Sequence, residues 1–264
     1  MFTYSEKLNF IGVDQNGSGN PLPLARLHLV EGNWALECHP LKSFTRESLQ
    51  TLNISLKDRP TLISVDCVFW SQFNQNLRNL RNDFKNAYAW RLKHGGLGRK
   101  IAEDFFKTHR RPPGSKRPID LLAKAQSLYS VLPYQRNIQT GTFRIWSDLG
   151  ESPLDWITLY PWANPKNPAK PLLVEAYPSH AWRSMFGVKM REPHLLPKMM
   201  RSLLPEKIKI TAKNETLIKT NPNYADAAVL ALHAFLNFRQ LKILSPHERS
   251  TLLKNGYIFG VNPF

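Results

Sequence analysis

The first 40 residues contain apolar stretches that have the length of β-strands and are joined by short polar links. A helix is predicted at 44–52, with Ser43 as its N-cap. The next stretch, 61–68, is apolar almost without interruption, which is typical of a strand buried on both faces and therefore parallel to its neighbour. This order predicts an antiparallel meander, a helix and then a buried parallel strand. The three predicted meander strands are 7–14, 22–30 and 33–38.

Helical patterns dominate the middle of the chain, from about residue 71 to residue 150. We interpret this segment as a mainly helical, basic insertion into a single domain that spans residues 1–264. Helices are predicted in it at 74–93, 97–107, 119–129 and 140–149. Strands at 156–160 and 172–176, then helices at 179–186, 195–204 and 223–241, are predicted to complete the α/β pattern.

Four acidic residues stand at the edges of these apolar segments. Asp14, Asp66 and Glu175 each close an apolar run, and Asp226 precedes the apolar stretch 227–232. An ionised carboxylate beside a hydrophobic core is unfavourable unless a cation compensates it. Mg²⁺ and Mn²⁺ prefer such oxygen ligands. The set of four therefore predicts a shared metal site, although a single acid at a strand end is more often a turn or cap residue.

Charge indicates the class of partner. The chain has 36 Lys and Arg against 20 Asp and Glu, and its net charge of +16 favours a polyanion, with nucleic acid as the leading choice. More than half of this excess lies between residues 78 and 117, although a charge run is often only a solvated surface. Pro-Pro-Gly at 112–114 predicts an exposed loop there. The predicted phosphate-binding residues are Lys107, Arg110, Arg111, Lys116 and Arg117.

The sequence also predicts a cellular location. No apolar run approaches the roughly 20 residues that span a bilayer, and the first residues lack the apolar core of a signal peptide. We therefore expect a cytoplasmic protein that does not bind membranes.

The motifs around the four acids resemble those of one family. In their order along the chain, they are similar to the signature of the prokaryotic domain-of-unknown-function family four-two-nine, regarded as predicted ribonuclease H-like nucleases. This resemblance covers nearly the whole chain and implies an α/β fold with a mixed five-stranded, ribonuclease H-like sheet flanked by helices. The motifs are Ile11-Gly-Val-Asp-Gln-Asn-Gly-Ser18, Ile63-Ser-Val-Asp-Cys-Val-Phe69, Val174-Glu-Ala-Tyr-Pro178, Tyr224-Ala-Asp-Ala-Ala228 and Asn255-Gly-Tyr-Ile-Phe-Gly-Val261.

The resemblance implies a metal-dependent nuclease that hydrolyses phosphodiester bonds by a two-metal-ion mechanism. Asp14, Asp66, Glu175 and Asp226 match the family's acids and are the implied metal ligands and catalytic residues. His180 or His233 is a candidate proton relay. The chain departs from the family pattern after Asp66, where Cys-Val-Phe replaces Ala-Pro, and in the late helix, which keeps one of two usual acids. These departures imply weaker metal binding.

Two other functions remain open at this point. A non-catalytic nucleic-acid-binding protein of the same fold would explain the net positive charge and the loss of one of the two usual acids from the late helix. A phosphotransferase of the actin and sugar-kinase class would explain the small residues of the turn at 14–19, which suit a nucleotide phosphate. For a nucleic-acid partner, Trp162 is the ring we expect to be exposed for base stacking.

Overall fold

A mixed β-sheet of seven strands organises the described part of the protein in this computed structural model. The structure describes residues 8–15, 21–52, 54, 60–69, 76–109, 117–124, 136–164, 170–188, 190–204 and 208–261. The strands are β1 (Asn9–Val13), β2 (Leu22–Val30), β3 (Asn33–Leu41), β4 (Thr61–Asp66), β5 (Thr158–Leu159), β6 (Leu172–Ala176) and β7 (Ile208–Ile210).

The strand pairing confirms the predicted meander and the predicted parallel partner of β1. β1, β2 and β3 pair antiparallel in sequence order, and β4 lies parallel to β1. The order across the sheet is β5-β6-β4-β1-β2-β3-β7. The sheet has two strands more than the five that the family resemblance implies, because β5, inside the predicted strand 156–160, and the unpredicted β7 extend its two edges. At three residues, β7 is too short to show a periodic pattern in the sequence.

Helices cover both faces of this sheet. Thr45 caps the first of them by accepting a hydrogen bond from the Ser48 amide, so the prediction of Ser43 as the N-cap was wrong. The helices at 212–220 and 246–255 were not predicted, and residues 125–129 of a predicted helix lie outside the described residues.

None of the described helices is both long and apolar enough for a membrane span. The helices are α1 (Arg46–Thr51), α2 (Leu77–Lys93), α3 (Arg99–Thr108), α4 (Pro118–Leu122), α5 (Arg136–Gly150), α6 (Pro178–Phe186), α7 (Leu196–Leu203), α8 (Ala212–Thr220), α9 (Pro222–Asn237) and α10 (Pro246–Asn255).

The alternation of side chains along β1 supplies both hydrophobic cores. Phe10 points to the face covered by α6, α7, α8 and α9, whereas Ile11 and Val13 point to the face covered by α1, α2, α3 and α5. β1 is therefore buried on both sides, as a central strand must be.

The packing of α9 on β1 depends on Gly12. A Cβ atom at this position would lie 2.0 Å from the carbonyl oxygen of Ala227 and 2.5 Å from the amide nitrogen of Ala231. Small residues on the facing side of α9 let the helix backbone approach the strand this closely. The approach places the first turns of α9 beside the carboxyl end of β1.

Replacing Gly12→Ala should therefore push α9 away from the sheet. We expect the free energy of unfolding to fall by about 3 kcal/mol or more, since the clash is with backbone atoms that no side-chain rotation relieves. Urea denaturation measures the change. Gly98→Ala is the matched control, because its Cβ would meet only Ile101 Cδ1, at 3.8 Å, and should change stability by less than about 1 kcal/mol. A Gly12→Ala protein as stable as the Gly98→Ala protein would contradict this packing argument.

Candidate functional site

Three of the four predicted acids meet at the carboxyl ends of β1 and β4. Val13 and Val65 are paired in the parallel register of these strands, so Asp14 and Asp66 leave the sheet side by side. Their carboxyl groups are close enough to interact directly, and both lie within the electrostatic reach of Asp226 on α9. We call Asp14, Asp66 and Asp226 the aspartate cluster. All three side chains are buried.

Burial makes ionisation of the aspartate cluster unfavourable. It raises the pKa of Asp14 well above its ordinary value, and the charges of Asp66 and Asp226 raise it further. Burial and the charge of Asp226 raise the pKa of Asp66 to about 7. Burial also raises the pKa of Asp226, to about 6, against the opposing effects of Arg191 and Trp182. At neutral pH the cluster therefore carries negative charge that its surroundings only partly compensate.

Three residues that the sequence analysis missed hold the aspartate cluster in place. Trp182 Nε1 donates to Asp226 Oδ1 at 2.8 Å, and Arg191 Nη2 lies 3.0 Å from Asp226 Oδ2. Gln15 is hydrogen-bonded to Asp66. Gly141 on α5 leaves room for Gln15, since a Cβ there would lie 2.2 Å from Gln15 Oε1. The only sequence signal for any of them was the position of Gln15 directly after Asp14.

Glu175 lies near Asp66 but is held by other partners. Arg117 Nη2 donates to Glu175 Oε1 at 2.5 Å, and the Phe69 amide donates to Glu175 Oε2 at 3.0 Å. Burial raises the pKa of the Glu175 carboxyl, and Arg117 opposes this shift. The role of Glu175 as a metal ligand stays a prediction, because both of its oxygens are engaged in these contacts.

Arg117 is buried, so its prediction as an exposed phosphate-binding residue was wrong. Its Nη2 also donates to Asp120 Oδ1 at 2.8 Å, in the first turn of α4. Burial disfavours the charged guanidinium, but the carboxylates of Glu175 and Asp120 outweigh this effect and raise the pKa of Arg117. Arg117 is thus the fixed counter-ion of two buried acids.

The other residues predicted to bind nucleic acid have different positions. Lys107 is exposed near the end of α3, as a phosphate contact requires. Arg110, Arg111 and Lys116 lie outside the described residues. Trp162 is only 6% exposed, so its prediction as an exposed stacking ring was wrong.

His180 and His233 pack against each other, with ring centroids 5.7 Å apart. Burial and the neighbouring His180 lower the pKa of His233 to about 3. His233 lies two turns along α9 from Asp226, a rise of about 10 Å, and its ring packs against Gly260 and Phe259. The described contacts of both histidines therefore support the last described segment of the chain. Their role as a proton relay stays a prediction.

The aspartate cluster fits a divalent cation by its donor chemistry. Three carboxylates supply oxygen ligands that suit Mg²⁺ or Mn²⁺. Within the described ranges, no three His, Cys, Asp or Glu side chains already surround a point that could hold a metal ion. The carboxyl groups of Asp14 and Asp66 interact with each other, and Asp226 is paired with Arg191. The donors are thus assembled, but they are engaged with one another and with Arg191.

Comparisons of the chain with protein-family models, with curated proteins and with solved structures find no match. The resemblance of the five motifs to a nuclease family therefore stays a prediction, and the functional argument rests on the geometry of the site.

The raised pKa of Asp66 predicts how stability depends on pH. The folded protein retains a proton on Asp66 up to about pH 7, whereas the unfolded chain loses it near pH 4, so this group's contribution to stability falls as the pH rises from 4 to 7. Asp66→Asn removes the ionisation. In EDTA we expect the variant to match the wild type near pH 4 and to exceed it by about 2–4 kcal/mol at pH 8.

Urea denaturation of both proteins between pH 4 and pH 8 measures this difference. His233 titrates in both proteins, so its own effect on stability cancels between them. An Asp66→Asn protein that is less stable than the wild type at pH 8 would show that the Asp66 carboxylate is fully compensated in the fold.

Proposed function

We propose that the protein is a divalent-cation-dependent nuclease that hydrolyses phosphodiester bonds of nucleic acid. The observation that carries this proposal is the convergence of three buried, under-compensated aspartates from β1, β4 and α9. Buried titratable groups with raised pKa values are concentrated at functional sites. Carboxylates from separate elements that meet at one edge of a sheet are the usual donors of a hydrolytic metal site.

The arrangement of the central strands supports a ribonuclease H-like assignment. Strands β3, β2, β1, β4 and β6 lie in that order, with the first two pairings antiparallel and the last two parallel. A late helix, α9, adds the third acid. In this assignment β5 and β7 are additions to the two edges of a five-stranded core.

Each residue of the site has a distinct part in the proposed reaction. Bound Mg²⁺ or Mn²⁺ supplies charge stabilisation at the phosphate and activation of the attacking water. Asp14, Asp66 and Asp226 would hold the metal. Trp182 fixes the direction of the Asp226 carboxylate, and Gln15 fixes that of Asp66. Glu175 remains with Arg117 and keeps Phe69, three residues after Asp66, in position.

Exposed cations outside the site support a polymeric anion as the substrate. Arg78, Arg81 and Lys85 on α2 and Lys107 on α3 are exposed. Arg81 and Lys85 line a groove of about 400 Å³ along residues 149–155, which also includes the acids Glu151 and Asp155. Arg81 and Lys170 line an adjoining groove of about 310 Å³ that shares Asp155. Cations that follow a groove bind successive phosphates without reading the sequence. A single small phosphate ester would not need this extended surface.

A non-catalytic nucleic-acid-binding protein is the second candidate. It is favoured by the two internal ion pairs, Arg117 with Glu175 and Arg191 with Asp226, which neutralise acids without any metal. The phosphotransferase alternative depends on residues 16–19, which lie outside the described residues. Cleavage distinguishes the two candidates that remain.

We expect the wild type to cleave single- or double-stranded DNA or RNA in Mg²⁺ or Mn²⁺, but not in EDTA, and to leave 5′-phosphates. Asp14→Asn and Asp66→Asn should each reduce the rate by about 100-fold or more, since each removes a proposed metal ligand. Gel electrophoresis of end-labelled oligonucleotides measures cleavage. Glu31→Gln, at an exposed acid in the turn between β2 and β3, at the other end of β1 from the cluster, is the matched control and should retain the wild-type rate.

Equal cleavage by the wild type and both site variants would reveal a contaminating nuclease and remove the support for the proposal. Nucleic-acid binding that weakens steeply with salt, without cleavage in either metal, would favour the non-catalytic candidate.

A further inference from the structure

Arg191 is the described cation that acts on every member of the aspartate cluster. It lies between α6 and α7, and its charge lowers the pKa of Asp14, Asp66 and Asp226 alike. Its direct contact is with Asp226 Oδ2, at 3.0 Å. The guanidinium therefore binds the Asp226 oxygen that a metal ion would need as a ligand from the third carboxylate.

The exposure of the Arg191 side chain makes this contact exchangeable. Arg191 is 44% exposed, whereas Asp226 is 1% exposed. An arginine in contact with water regains its hydration when it leaves its partner, and a cation that takes its place beside Asp226 compensates the buried carboxylate. Arg117 is the opposite case, because it is buried between Glu175 and Asp120 and could not leave without abandoning two buried acids.

The two oxygens of Asp226 have different partners. Oδ1 accepts a hydrogen bond from Trp182 Nε1, and both of these side chains are buried. This bond keeps the carboxylate in place when the partner of Oδ2 changes. Oδ2 can therefore pass from the guanidinium to another cation while Asp226 and the packing of α9 stay where they are.

We propose that Arg191 is an exchangeable counter-ion that a divalent cation must displace from Asp226 before the aspartate cluster can bind it. The inference rests on the proposed metal site and adds the residue that sets its affinity. Arg191 partly compensates the charge of the cluster in the metal-free protein and moves toward solvent when the metal binds. The wild type therefore binds the metal more weakly than the same cluster would without the contact between Arg191 and Asp226.

Titration calorimetry with MnCl₂ tests this role without requiring activity. Arg191→Gln should bind Mn²⁺ about tenfold more tightly than the wild type, because the competing cation is gone. Arg191→Lys, which keeps the charge, should remain close to the wild type. Arg201→Gln is the matched control, since Arg201 is 45% exposed and pairs with Glu215 outside the cluster, and its affinity should not change.

Each result has a distinct meaning. Equal or weaker Mn²⁺ binding by Arg191→Gln, beside measurable binding by the wild type, overturns the inference and leaves the proposed metal site intact. An increase of the same size in Arg201→Gln also overturns it, because the effect would then be one of net charge. Failure of the wild type and all variants to bind Mn²⁺, with unchanged circular dichroism spectra, removes the proposed function together with the inference.

Discussion

The contact between β1 and α9 at Gly12 is the constraint on which the candidate site depends. The absence of a side chain at Gly12 lets the helix backbone lie directly against the strand. This approach buries the first turns of α9 and brings Asp226 to the edge where Asp14 and Asp66 leave the sheet. A larger residue at position 12 would separate acids that lie far apart in the chain. The packing of an alanine-rich helix and the chemistry of the cluster are therefore two consequences of one close contact.

The electrostatics of the site divide its four acids into two groups. Glu175 has a permanent counter-ion in Arg117, and this buried pair joins β6 to the segment that begins α4. Among the described cations, the half-exposed Arg191 is the one that compensates the aspartate cluster, whose ionisation is opposed by burial and by mutual repulsion. A bound divalent cation would relieve that opposition. The fold thus retains an unfavourable arrangement in the place where ligand binding can compensate it, as functional sites commonly do.

The sequence predicted the parts of the site that local patterns encode. Apolar runs ending in an acid located Asp14, Asp66 and Glu175, and the apolar stretch 227–232 within the predicted helix 223–241 located Asp226. The pairing of Arg117 with Glu175 joins residues 58 positions apart, and no local pattern encodes such a contact. Arg117 follows a Pro-Pro-Gly loop and a run of cations, so it was interpreted as exposed. Arg191 shows no periodic signal at all. Short elements such as β7 were missed because they depend on neighbours that the fold supplies.

The most direct test of the account is an anomalous diffraction map from a crystal of the protein soaked in MnCl₂. We expect a manganese peak in contact with the carboxylates of Asp14, Asp66 and Asp226, with the Trp182 bond to Asp226 kept and the Arg191 guanidinium displaced. A map with manganese elsewhere on the chain but no manganese near the three aspartates would contradict the proposed site. In that map Arg191 would still contact Asp226.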